Sequence, residues 1–146
     1  MNMKLSPQRR SAGFTLLEIM LVVMIIALLA GAAIYNMGDT VGEAKKVRAD
    51  ADIKSIGTSL MMYSARNGFY PSSSQGLQAL VVRPSDEPKP RNWSSLMKEV
   101  APDPWGMEYQ YVEPGTHNTG SYDLFSMGPD HKAGTDDDIG NWPRTN

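Results

Sequence analysis

The 21 residues from Phe14 to Ile34 read as hydrocarbon apart from Thr15 and Glu18. As an α-helix rising 1.5 Å per residue, this run predicts a segment of roughly 31 Å, about one bilayer core. Lys4, Arg9 and Arg10 precede it, and the positive-inside tendency assigns them to the cytoplasmic side. The pattern then turns from continuous to periodic. Ala49, Ile53, Ile56, Leu60 and Tyr63 are spaced 4, 3, 4 and 3, the spacing of one helical face. Lys45, Lys46, Arg48, Asp50, Asp52 and Lys54 supply the wet face, and Asn67-Gly68 offers a C-terminal stop. These signals join into one helix from about Phe14 to about Arg66, roughly 80 Å long at 1.5 Å per residue. Its first half is expected in lipid and its second half against a small domain. Gly31, Gly38 and Gly42 weaken the middle by about 1 kcal/mol each relative to alanine, which leaves room for local unwinding.

The carboxyl half has a different texture. Pro71-Ser72-Ser73-Ser74-Gln75 predicts a turn whose serines cap a short helix over 76–82, ended by Pro84. The three prolines in 84–92 predict an irregular surface loop. Glu108–Val112 alternates and reads as a strand, as does Tyr122–Ser126, joined by the turn-rich 114–120. A lone hairpin is marginal, so a third strand near the end or packing on the helix is required. The fold class predicted is α+β: a long amino-terminal helix laid on a small, loop-rich domain with a short antiparallel sheet.

Composition narrows what this domain can be. Most of the ten prolines and thirteen glycines fall after residue 67, and there is no cysteine. A disulfide framework, a thiolate metal site and a cysteine nucleophile are therefore excluded. A small loop-rich domain usually needs a staple, and a metal ion is the leading candidate. Formal net charge is −2 with both signs mixed, which leaves no basic stripe for nucleic acid. His117 and His131 both lie in turn-rich stretches without a nucleophile or base at recognisable spacing, so no enzyme is indicated.

The amino terminus also admits a secretory signal peptide, with Ala30-Gly31-Ala32 as an A-x-A cleavage site. Glu18 argues against it. An ionised side chain in the apolar region costs on the order of 3 kcal/mol at the bilayer centre, a cost a disposable signal has no reason to carry.

Ser11-Ala12-Gly13-Phe14-Thr15-Leu16-Leu17-Glu18 resembles the processing site of type IV pilins and type II secretion pseudopilins. The resemblance implies cleavage by a prepilin peptidase between Gly13 and Phe14 and N-methylation of Phe14. It also implies that Glu18 pairs with the Phe14 amine of a neighbouring subunit, which would register each new protomer; a glutamate snorkelling at the membrane edge is the plainer reading. Phe69-Tyr70-Pro71, Gln75–Leu80, Asp103-Pro104-Trp105-Gly106 and Asp136–Trp142 follow in order. Together they resemble the major pseudopilins of type II secretion. That likeness divides the chain into a leader (1–13), a transmembrane and assembly half-helix (14–35), a periplasmic half-helix (36–68) and a globular domain (69–146). Many relatives carry a proline where this chain has Tyr35, which puts a proline-driven kink in doubt.

Asp130, Asp136, Asp137 and Asp138 crowd four carboxylates around Gly134. At about 6 Å and an effective dielectric near 20, each pair repels by roughly 3 kcal/mol. Calcium would relieve that conflict, since it takes six to eight oxygens in flexible geometry, and magnesium is the poorer match. The spacing is not that of an EF-hand, and an acidic solvated loop is the ordinary reading of such a run. The pseudopilin resemblance implies calcium here, with Asp130, Asp136 and Asp138 as ligands, Asp137 as a further candidate, and the Met127 carbonyl completing the shell.

The function this implies is a major subunit of a homopolymeric periplasmic pseudopilus that drives protein export. Its partners would be itself, the prepilin peptidase, minor pseudopilins, the inner-membrane assembly platform and membrane lipid. It would be single-pass in the bacterial inner membrane, with its carboxyl domain in the periplasm. A type IV pilin or a minor, tip-located pseudopilin is the alternative. The first is disfavoured because those pilins commonly end in a disulfide-closed loop, which this chain cannot form. A major subunit would also form homopolymers when overproduced.

Overall fold

The structure, a computed structural model, describes residues 14–143, with residues 34–39 described by their backbone alone. The predicted leader, Gly13 included, lies outside the described residues. The elements run α1 (Leu16–Asn67), a 3-10 turn (Leu77–Leu80), β1 (Gln110–Val112), β2 (Asp123–Ser126) and β3 (Ile139–Gly140). Two compact units divide the chain, Met1–Thr40 and Val41–Asn146.

In the first unit the backbone is helical from Leu16 onward, through Gly31 and Gly38. In the single chain those glycines do not interrupt the helix. Tyr35 keeps the N–H that a proline would remove, so the ladder of helical hydrogen bonds has no missing donor there.

In the second unit the predicted stripe is the stripe buried. Ala49, Ile53, Ile56, Leu60 and Tyr63 are all at most 3% exposed. They pack with Leu77, Ala79, Leu80, Tyr109, Tyr122, Leu124 and Ile139 into a single core. Burying each large aliphatic among them contributes about 1.5–3 kcal/mol, which is why the 4-3-4-3 spacing settles the face. The helix stops where expected. Gly68 takes φ 84° and its N–H donates to the Ser64 carbonyl at 2.7 Å, a left-handed cap that a residue with a Cβ would resist.

The sheet is antiparallel in the order β1-β2-β3. Tyr111 pairs with Leu124, and Ser126 with Ile139. The expected third strand is therefore the two-residue β3 next to the chain's end. Both predicted strands are shorter at their starts, because Glu108, Tyr109 and Tyr122 serve other contacts. Tyr109 donates its hydroxyl hydrogen to Asp52 of α1 at 3.0 Å, and Tyr122 reaches the Gly57 carbonyl at 3.4 Å. Tyr111 donates to the Pro71 carbonyl at 2.7 Å. Burial pushes all three phenols up from their ordinary pKa, so they remain donors.

The short α-helix over 76–82 needs correction. Only Leu77–Leu80 turns, as a 3-10 helix, and no serine caps it. The serine and the glutamine of that segment satisfy each other instead: Ser72 N–H donates to Gln75 Oε1 (3.2 Å) and Gln75 N–H to Ser72 Oγ (3.3 Å).

Candidate functional site

At the amino end, Thr15 caps α1. Its Oγ1 accepts the Glu18 N–H at 3.2 Å, and its carbonyl accepts the N–H groups of Glu18 and Ile19 at 3.1 and 3.3 Å. Glu18 therefore sits in the first turn, where a negative side chain meets the positive end of the helix dipole. From Leu16 to Ala33 mean hydropathy is 2.7 and none of the segment is buried. Phe14, Leu16 and Leu17 are likewise exposed. Bare apolar surface of this extent calls for lipid or for other chains. Phe14 is placed at the open end of this helix; Gly13, the other half of the predicted processing bond, lies outside the described residues.

In the second unit the acidic loop hangs from the base of the β2–β3 ladder. Asp130 Oδ1 accepts the Lys132 N–H at 2.8 Å, and the Asp130 N–H donates to Asp137 Oδ2 at 3.2 Å. Thr135 donates its hydroxyl to Asp137 Oδ1 at 2.5 Å, which holds that carboxyl below the usual carboxylate range. Gly134 N–H donates to Asp138 Oδ2 at 2.7 Å. Asp136 is exposed. The loop thus brings Asp130 to Asp137, and Gly134 to Asp138. It does not gather Asp130, Asp136 and Asp138: among the described residues no three acidic or histidine side chains form a metal-holding group.

One observation does fit a cation. Asp138 Oδ1 is buried with no hydrogen-bond partner; the one other such atom among the described residues is Tyr63 Oη. A carboxylate oxygen deprived of water and of donors is costly unless a cation supplies the missing charge. Calcium accepts backbone carbonyls as readily as carboxylates, so three converging acids are not required. Asp138 Oδ1, a carboxylate oxygen, is of the right chemistry for such a cation.

Two buried carboxylates escaped the sequence reading. Asp103 is 4% exposed and its Oδ1 accepts the N–H groups of Trp105 and Met107 at 3.0 and 2.8 Å. Its Oδ2 accepts the Ser126 hydroxyl at 2.5 Å. Asp123 is 1% exposed. Its Oδ2 takes Thr116 N–H (2.7 Å), Thr116 hydroxyl (3.0 Å) and His117 N–H (2.8 Å). Its Oδ1 takes Asn118 N–H (2.9 Å) and the Asn118 amide (3.0 Å). Burial alone would raise its pKa, but these donors outweigh burial and hold it at about 2. An aspartate inside a predicted strand, where that residue is disfavoured, was the available signal.

A capped, unburied apolar helix at the amino end, long and apolar enough to cross a membrane, and a small sheet at the carboxyl end define the chain as a pilin-like subunit. Residues 36–142 match the family model described as Type II secretion system (T2SS), protein G, and residues 8–34 match the prokaryotic N-terminal methylation motif. The chain belongs to the type II secretion protein G family. It is 45% identical over 140 residues to the type II secretion system core protein G of Pseudomonas aeruginosa, covering 92% of this chain and 97% of that one. To the protein of the same description from Dickeya chrysanthemi it is 46% identical over 137 residues, covering 92% and 88%. A crystal structure of the major pseudopilin from the type 2 secretion system of enterohaemorrhagic Escherichia coli superposes with a TM-score of 0.64 at 39% identity. That match covers 73% of this chain and 92% of the other. The family is one of structural pseudopilin subunits, and the type IV pilin alternative falls with the match.

Proposed function

We propose that this chain is the major subunit of a type II secretion pseudopilus, anchored by Leu16–Ala33 in the inner membrane with its carboxyl unit in the periplasm. The observation that carries the reading is the wholly exposed apolar helix, joined to a matched methylation motif and bearing one acid in its first turn. Among the described residues nothing covers that helix. Lipid covers it before assembly, and copies of the same helix cover it afterwards. Cleavage between Gly13 and Phe14 by a prepilin peptidase frees an amine at Phe14. In hydrocarbon that amine and the Glu18 carboxylate of a neighbouring subunit each lack a counter-ion, and pairing them removes both costs. Minor pseudopilins and the inner-membrane platform are the further partners this role requires, and no nucleic acid is among them.

Calcium belongs to the proposal as a structural ion. Asp138 would hold it through Oδ1, with the Met127 carbonyl, Asp130, Asp136 and Asp137 as the remaining oxygen donors. When bound, the ion neutralises a run of like charges that the loop otherwise has to hold apart.

The test of assembly is Glu18→Leu in the full chain. Insertion should be kept, because the segment becomes more apolar, while filaments and secretion should be lost. Normal filaments from that variant would sink the inter-subunit role of Glu18.

A further inference from the structure

We propose that Asp103, far from the acidic loop in sequence, is a positioning residue for the cation site of that loop. The inference rests on the calcium reading above and adds to it a residue that touches no ion.

The connection is a directed chain of hydrogen bonds. A carboxylate can only accept, so Ser126 must give its single hydroxyl hydrogen to Asp103 Oδ2, at 2.5 Å. The Ser126 lone pairs are then turned the other way, and they accept the Gly128 N–H at 3.1 Å. Ser126 is 0% exposed, so no water competes for either role. Asp103 is itself held by two backbone donors, Trp105 and Met107, and cannot turn away. The polarity of the relay is therefore fixed from Asp103 to Gly128.

Gly128 is where the two limbs of the loop meet. It has φ 65°, and a Cβ built on it would lie 2.5 Å from the Asp137 carbonyl oxygen. Backbone touches backbone there, and Asp138, with its unpartnered Oδ1, is the next residue. On the other limb, Met127 lies between Ser126 and Gly128, both pinned by the relay. Ser126 also pairs with Ile139 at the base of the loop. Asp103 thereby fixes both the carboxylate limb and the carbonyl limb of the site. Ligands held in place before binding are what give a metal site its affinity. An asparagine at 103 could donate as well as accept, which would release the Ser126 hydroxyl from its single orientation.

Calcium binding measured by calorimetry on the full chain in detergent, after chelator exchange, tests this. Wild type should bind calcium chloride, and Asp103→Asn and Ser126→Ala should each raise the dissociation constant about tenfold or more. Asp123→Asn removes an equally buried carboxylate whose donors lie in 116–118, and it should lower stability without changing calcium affinity. Unchanged affinity in both relay variants, with wild type binding, would overturn the inference and leave the calcium reading intact. An equal loss in Asp123→Asn would also overturn it, because the effect would then be general loosening. A wild type that takes no calcium would overturn both.

Discussion

Trp142 lies flat on His117, with ring centroids 3.9 Å apart and planes 6° from parallel. The same indole meets Phe125 edge-on at 5.5 Å, and His117 Nδ1 lies 3.2 Å from the buried Asp123 carboxylate. Trp142 is thereby tied to β2 through Phe125 and to the turn before β2 through His117. It depends on Gly140, where a Cβ would come within 2.5 Å of the Trp142 ring carbons.

Gly140→Ala should therefore displace the indole and cost about 1–3 kcal/mol, the usual range for overpacking. Urea unfolding of the full chain in detergent measures it. The double variant Gly140→Ala with Trp142→Ala should show little further loss, since the contact is already gone. Additive losses would mean that the glycine and the indole act separately.

Asp123 sets a pH limit. Its folded-state pKa, about 2, is below the unfolded value of 3.8. The stability it contributes is thus complete above roughly pH 4 and disappears as pH falls through about 2. A shift of that size is worth about 2 kcal/mol for a carboxylate so fully buried. Asp123→Asn should be less stable than wild type at pH 7, and the gap should narrow steadily between pH 4 and pH 2. A gap constant over that interval would show that the hydrogen bonds, not the charge, are what matters.

The helix stripe was legible in the sequence because its physics is local and periodic. Five apolar residues at helical spacing have one way to leave water together. The Asn67-Gly68 stop and the positions of β1 and β2 were legible for similar reasons. The serine cap was misread because Gln75 lies at the same spacing from Ser72 as a capping partner does, and it closes the turn on itself. Asp103 and Asp123 were missed because their donors come from segments that only tertiary folding brings near. The Asp103-x-Trp105 spacing, an aspartate beside a turn with a backbone donor two residues on, held a readable trace of the first. The acidic run was visible, but which oxygen lacks a partner is a property of the folded loop alone.

Processing has a direct readout in the intact mass of membrane-extracted protein. The mature chain should begin at Phe14 and be heavier by one methyl group. Gly13→Ala is expected to leave the leader attached if the peptidase needs the glycine. A mature chain that begins at Ala33 would instead identify a secretory signal peptide, and the anchor would be lost with it.

The acidic loop offers the widest separation between outcomes. A ligand that binds only the folded state stabilises it by RT ln(1 + [L]/Kd), about 2.7 kcal/mol at a hundredfold excess. For a domain of this size that corresponds to a rise in melting midpoint on the order of 10 °C. The full chain in detergent should melt higher with calcium, lower with chelator, and gain little from magnesium, which prefers stricter octahedral geometry and keeps its water. The variants should rank by burial. Asp138→Ala removes the orphaned oxygen and should abolish the calcium response. Asp136→Ala removes an exposed carboxylate and should only weaken it. Without calcium the Asp138 variant should lose little stability, because Oδ1 has no partner and the one bond given up is that from Gly134 N–H to Oδ2. A wild-type midpoint indifferent to both calcium and chelator would make this an acidic solvated loop, with the Asp138 oxygen satisfied by water.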